Sequence, residues 1–393
     1  MPIPFRWRLL DIESGKTITE CSDIEGLFTD RVFPVAPVYE RYTLVSCHPA
    51  GPLRAAIDGT GPDWLGILVI EPAHVPGRPV DEYCDPSACH ECAFSVEELL
   101  DVRLVGYRPA ADGSDRLDVD LTGHRYDDDN NRHGTTAPEA FGYRLIVTGM
   151  DGRLDERAGD CGDIAGLFRE RPDPWPPGPP VTLLGCRPGP TGSIAAELAH
   201  VRTDGTVSRM TWEHCVNGRI VATRPSAHGD GLVDLTLNRP IVDPLAGGDR
   251  ALWDMWRSGG PTEPNLWAPL DRGGRRRWVR AAALHRSHEP DKPAGIVYHL
   301  DGRHVTDEDA FYCALGEAIN GPGGWFGTDL FWVHECAATG DGATPGFRLI
   351  WHDSAVARAH LVPGYDRHTW RPALTFDDLV RFLIREGVEL ELQ

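Results

Sequence analysis

The chain has 393 residues, 41% hydrophobic and 25% charged, and its 59 acidic side chains against 39 basic ones leave a formal charge of −20. The length exceeds what one small core organises and predicts several domains, and the composition excludes wholesale disorder. So acidic a chain is not a general nucleic-acid binder, because phosphate contacts need a basic surface.

The N-terminal stretch "MPIPFRWRLLDIESG" lacks a signal-peptide core, and no run anywhere reaches the ~18 apolar residues of a membrane span. A cytoplasmic address without membrane contact is therefore expected. The ten cysteines are expected as reduced core thiols.

Read in chain order, the first elements come twice. "FRWRLLDIESGK" at 5–16 matches "FGYRLIVTGMDGR" at 141–153, and "CSDIEGLF" at 21–28 matches "CGDIAGLF" at 161–168. "LVSCHPAG" at 44–51 then matches "LLGCRPGP" at 183–190, "VRLVGYRP" at 102–109 matches "GRIVATRP" at 218–225, and "VDLTGHR" at 119–125 matches "VDLTLNR" at 233–239. Conserved order with shifting spacing predicts a duplicated module. Each copy reads as short β-branched strands between Gly, Pro and Asp turns, with one short helix at "DIEGLF" or "DIAGLF". Cys21 and Cys161 hold equivalent places, as do Cys47 and Cys186, which favours small buried core residues.

The first copy alone carries "CDPSACHEC". Cys84, Cys89, His90 and Cys92 offer thiolate and imidazole ligands for zinc, but the spacing is not that of a finger and no second ligand pair follows. The alternative is a copy-specific loop with incidental thiols, and a chelator that leaves the melting temperature unchanged would remove the metal. "DDDNN" at 127–131 lacks the glycine and terminal Glu of a calcium loop and reads as solvated. There is no phosphate-binding glycine loop, no dinucleotide fingerprint and no metalloprotease motif, so neither a catalytic centre nor a cofactor is expected.

From 243 to 292 the composition shifts to Pro, Gly, Arg and Trp, predicting a partly helical connector whose tryptophans pack on a neighbour. Its run "RGGRRRWVR" (272–280) is read as a solvated helix face or a basic segment docked on the acidic C-terminal part; an RNA contact is the weaker reading.

Beyond it come a strand "GIVYHL" (295–300), then a helix "TDEDAFYCALGEAIN" (306–320) capped by Thr306, with Phe311, Leu315 and Ile319 inward. A glycine-rich loop follows and leads into a short helix that displays Trp332 and Glu335. Strand "GFRLIWH" (346–352) is nearly continuous in apolar residues and is expected to be buried on both faces. Helix "TFDDLVRFLIREG" (375–387), capped by Thr375, turns Phe376, Leu379, Val380, Leu383 and Ile384 to one face. Strand "VELELQ" (388–393) closes the unit. From Asp291 onward sixteen Asp and Glu stand against eight Lys and Arg, a field that speeds encounter with a cationic partner and fades as salt rises.

"IVYHLDGRHVTDEDAF", "EAINGPGGWFG", a short helix ending in Cys336 and "FDDLVRFLIREGVELEL" occur in that order. On these segments residues 294–393 resemble the barstar family of intracellular ribonuclease inhibitors. The resemblance implies a non-enzymatic inhibitor whose aromatic loop and following helix plug the active site of a basic secreted ribonuclease or related toxin, carboxylates replacing the substrate phosphate. Trp325, Phe326 and Gly327 fall on the loop aromatics and glycine, Asp329 on a helix-starting position usually held by Asn, and Glu335 on the principal acid. Three departures stand out: the family's other helix acid falls on Phe331, His334 precedes the principal acid, and that acid is a Glu in place of the usual Asp.

Trp325, Phe326, Phe331 and Trp332 together are expected to form an exposed aromatic patch; otherwise half of them point inward. As adjacent helix residues, Phe331 and Trp332 cannot both face inward well. The expected binding set is Trp325, Phe326, Gly327, Asp329, Phe331, Trp332 and Glu335, and Glu335→Ala is expected to cost more than Asp341→Ala.

The overall expectation is an α+β multidomain chain. Two duplicated β-rich modules (1–137, 138–242) and a connector (243–292) precede a barstar-like α/β domain (293–393) with a small three-stranded parallel sheet flanked by helices. The functional readings are an inhibitor or immunity protein, a barstar-like module drifted to another partner, and, with least support, a metal-dependent enzyme sited between the repeats.

Overall fold

A computed structural model describes residues 5–29, 37–72, 97–125, 142–148, 156–169, 178–209, 215–241, 244–286, 291–369 and 371–393. Two antiparallel sheets hold most of the strands. In chain order these are β1 (Trp7–Asp11), β2 (Thr17–Cys21), β3 (Asp23–Glu25), β4 (Glu40–Pro49), β5 (Trp64–Pro72), β6 (Glu97–Pro109) and β7 (Leu117–Arg125). There follow β8 (Tyr143–Thr148), β9 (Glu156–Cys161), β10 (Asp163–Ala165), β11 (Thr182–Cys186), β12 (Ser193–Val201), β13 (Cys215–Pro225) and β14 (Val233–Leu237). The first sheet runs β2-β1-β12-β13-β14-β11-β3, and the second runs β9-β8-β5-β6-β7-β4-β10. In the second, β9 also pairs with β4 and closes the sheet on itself.

The compact units cut across the boundaries expected at 137 and 242. One joins Met1–Phe33 to Trp175–Leu361 and Leu379–Gln393; the other joins Pro34–Pro174 to Val362–Asp378. β1 lies on β12, with Leu9 opposite Leu198, and β8 lies on β5, with Leu145 opposite Ile70. Along these paths each sheet therefore draws three strands from one matched segment and four from the other, and a short strand Val207–Arg209 adds to the first sheet beside β12.

The side chains show why either segment suits either sheet. Trp7, Leu9, Cys21, Ile24 and Leu27 enter one core, and Tyr143, Leu145, Cys161, Ile164 and Leu167 enter the other. Nearness along the chain decides little between such similar fillings, because loop-closure entropy grows only slowly with loop length.

"DIEGLF" and "DIAGLF" are not helices. Their first residues form β3 and β10, which pair with β11 and β4 and bury Ile24 and Ile164. Pairing at the ladder edge completes their backbone hydrogen bonds, which a short helix leaves largely unsatisfied at its ends. The first matched segment does hold one helix, α1 (Gly51–Ile57). All seven cysteines among the described residues are free and buried; burial pushes the Cys47 thiol up to about 12.

The connector supplies α2 (Arg250–Arg257) and α3 (Arg272–His285) and buries Trp253, Trp256, Trp267 and Trp278. Trp253 packs at a tilt against Trp7, centroids 5.6 Å apart, and Trp256 edge-on against Trp278 at 4.9 Å. The basic run docks on acids of the C-terminal part: Arg272 Nε lies 2.8 Å from Asp309 Oδ2, and Arg275 lies 2.6 Å from Asp307 Oδ2.

His285 at the end of α3 meets His200 on β12, Nε2 to Nδ1 at 2.9 Å, both buried among Trp7, Trp253 and Trp256. Burial pushes His200 down to about 2 and His285 down to about 4, helped at His200 by His285 and the guanidiniums of Arg6, Arg257 and Arg202. Both imidazoles are thus neutral in the fold but bind protons once unfolded, with a pKa near 6.5. Their stability contribution is full above about pH 6.5 and falls as pH drops toward 4, by at most ~1.4 kcal/mol per pH unit for each histidine. Urea melts between pH 7 and 4 should show this unit losing midpoint, and the loss should shrink in His285→Gln.

The last part holds β15 (Val297–Asp301), β16 (Arg348–His352) and β17 (Glu389–Leu392), all parallel, with β16 central. Its helices are α4 (Glu308–Asn320), α5 (Leu330–Thr339), α6 (Ser354–His360) and α7 (Phe376–Arg385). α4 is capped by Asp307, not Thr306: Asp307 Oδ1 accepts the Ala310 N–H at 2.8 Å. β16 is not buried on both faces. Leu349 and Trp351 are buried, while Arg348 is exposed and Ile350 and His352 are half-buried, so one face alone is fully covered. α7 has the expected Thr375 cap, with Asp378 N–H donating to Thr375 Oγ1 and the Thr375 N–H to Asp378 Oδ2. Ile384, expected inward, is 59% exposed.

Candidate functional site

α5 begins where a short acceptor ends a tight loop. Asp329 is extended (φ −157) and its Oδ1 accepts the Trp332 N–H at 2.9 Å, a side-chain N-cap. Two residues earlier Gly327 stands at φ +108, and a Cβ there would lie 2.5 Å from Val333 Cγ2. Only glycine lets the loop close against the first turn of the helix. Val333, Cys336 and Ala337 then form the buried stripe at helical spacing.

That stripe fixes what faces out. Phe331 is 62% exposed and Trp332 43%, their ring centroids 5.6 Å apart and nearly perpendicular. Asp329 is exposed beside them, and Glu335 is half-exposed one turn further on. Trp325 and Phe326, expected in the same patch, are core residues with 4% and 1% exposure. Phe326 packs edge-on against Phe347 with centroids 5.7 Å apart, and the Arg286 guanidinium covers the Trp325 ring at 4.5 Å. The expected aromatic patch is therefore half as large, and Gly327 is buried with the loop aromatics.

The helix pair adds two features that sequence reading missed. His334 Nδ1 lies 2.5 Å from Glu386 Oε2, tying α5 to the end of α7. Burial would raise the Glu386 carboxyl, but hydrogen bonds from His334 and Arg385 outweigh it and hold the group below the usual carboxylate range. Ile384, two residues before Glu386, adds exposed apolar surface; its place off the Leu379, Phe382 and Leu383 stripe was the available signal. Asp341 proves to be internal wiring. Its backbone N–H donates to Asp291 Oδ1 at 2.8 Å and its Oδ2 faces the Cys336 thiol, so it is no neutral control for Glu335.

In the other unit Asp101 holds a left-handed backbone (φ 49) within β6, and its carboxylate accepts the Tyr39 hydroxyl at 2.6 Å and Trp64 Nε1–H at 2.7 Å. Both oxygens are engaged, so the group braces Tyr39 and Trp64. Cys84, Cys89, His90, Cys92 and the "DDDNN" loop lie outside the described residues. Among the described residues no three metal-ligating side chains converge, and no helix is long and apolar enough to cross a membrane.

Comparison of the chain with protein-family models, with curated proteins and with solved structures returned no match.

Proposed function

We propose that the C-terminal part of the chain is a barstar-like binding module that presents α5 to a basic partner protein in the cytoplasm, without catalysis or a cofactor. The observation that carries this reading is the outward pair Phe331 and Trp332, set between the carboxylates of Asp329 and Glu335. Aromatic faces next to carboxylates suit lysine and arginine, whose stems cover the rings while their charges meet the acids. The resemblance names a secreted-type ribonuclease or related toxin as that partner.

A second reading has its own support. Phe331 stands where the family carries an acid and is the more exposed of the two patch aromatics. A module drifted to a partner with a more apolar contact surface would look like this.

Binding of immobilised chain to small basic ribonucleases tests the placement. Glu335→Ala is expected to weaken binding at least tenfold, as loss of a partly desolvated charge partner does. Exposed Glu389→Ala on β17 should leave it within twofold, and rising salt should slow association. Equal effects of the two substitutions would move the interface elsewhere.

For the first 241 residues we propose a duplication whose N-terminal strands have changed places. It is supported by the identical strand order of the two sheets and by the matched core residues.

A further inference from the structure

The loop that presents α5 is not held by its own domain alone. Glu317, near the end of α4, accepts the Asn265 backbone N–H on Oε2 at 2.9 Å and the Gly323 N–H on Oε1 at 3.2 Å. Asn265 belongs to the connector and stands at φ +64, while its Nδ2 donates to Asp301 Oδ2 at 2.9 Å. Pro261 fills the space beside Gly323: a Cβ on that glycine, itself at φ +67, would come within 2.5 Å of the proline Cγ. Just past α3, Arg286 lies over Trp325 and within 3.9 Å of Asp341. Asn320 Nδ2 completes the frame, donating to the Trp325 carbonyl at 2.7 Å and to that of Asp341 at 2.9 Å.

We propose that the connector is a clamp for the recognition loop, with Pro261, Asn265, Glu317 and Arg286 as positioning residues that act through Gly323 and Trp325 on the partner site. This rests on the reading of α5 as the recognition helix. Pro261 and Arg286 touch the loop at Gly323 and Trp325, and Asn265 holds Glu317, which binds Gly323. The loop is rich in glycine and so has much conformational entropy to lose. A loop already ordered in the free protein spares that cost when the partner arrives. The recognition unit accordingly includes connector residues from Pro261 onward. The clamp also explains the basic run. Arg272 and Arg275 dock α3 on the N-terminal end of α4, and from there the chain runs on to Arg286 at the far side of the loop.

Hydrogen exchange on the full chain tests the clamp without any partner. Arg286→Ala and Glu317→Ala should each speed exchange of the Gly323, Gly324 and Trp325 amides at least tenfold, while β15–β17 amides keep their protection and report that the unit is folded. Asn265→Gly, which keeps the left-handed backbone and its N–H, should speed loop exchange less than Glu317→Ala. Arg286→Lys should restore part of the protection through its own cation over the ring.

Binding to a basic ribonuclease should weaken in proportion to loop exchange. Unchanged loop exchange in both alanine variants overturns the clamp, whether or not the wild type binds. Faster loop exchange in a chain that binds no basic ribonuclease upholds the clamp and removes the partner reading instead.

Discussion

Phe326→Ala is expected to destabilise the unit that contains it by about 3–5 kcal/mol, while Phe331→Ala changes stability by less than ~0.5 kcal/mol. The two side chains are chemically identical and five positions apart. They differ in surroundings: Phe326 is enclosed and packs edge-on against Phe347, whereas Phe331 is exposed with its ring beside Trp332. Removing the first leaves a cavity that a close-packed interior cannot fill. Removing the second subtracts only exposed surface, so its effect should fall on binding. Chemical denaturation of both variants, followed by Trp fluorescence, checks the contrast. Similar stability losses would mean that the loop and helix are packed differently from the arrangement described.

Deleting residues 1–29 is expected to unfold the sheet built from β11–β14 and to spare the sheet built from β4–β7. Trp7, Leu9, Cys21, Ile24 and Leu27 leave the first core together, and each large side chain contributes about 1.5–3 kcal/mol by burial. Their sum approaches or exceeds the ~5–15 kcal/mol that holds a typical domain folded. Amide exchange reads the result: Leu198 and Leu235 should lose protection, while Leu68 and Leu121 should keep it. The opposite pattern would restore the modules 1–137 and 138–242.

A cysteine pair gives an independent check. Arg8 pairs with Ala199 in the observed register, so Arg8→Cys with Ala199→Cys should oxidise readily, at the close spacing of cross-strand partners. By the repeat alignment Arg8 corresponds to Arg144, whose partner is Glu71. Without exchange of strands, Arg8→Cys would instead cross-link to Glu71→Cys.

The sequence made local structure readable where a single element decides it. The parallel strands β15–β17, the Thr375 cap, the buried cysteines and the tryptophan-rich connector follow from alternation, capping chemistry and composition. The strand partners of β1–β3 were not readable, because Trp7 and Tyr143 head equally good apolar patterns and no local signal says which sheet each joins. Side-chain direction in the candidate site was legible only in part. Adjacency required one of Phe331 and Trp332 to be exposed, and both are. Trp325 and Phe326 sit in a loop with no periodicity to assign them, and their burial depends on Phe347 and Arg286, distant in sequence. The clamp was hidden for the same reason, since Pro261 and Asn265 look like ordinary turn residues until the chain brings them to Gly323.

On the reading proposed above, α5 and its surroundings plug a cationic protein site. The decisive experiment is titration of the full chain into activity assays of several small basic secreted ribonucleases. The expected result is loss of activity of at least one enzyme at near-equimolar chain, reversed by Glu335→Ala and by high salt. Full activity of every enzyme at micromolar excess of chain would contradict it.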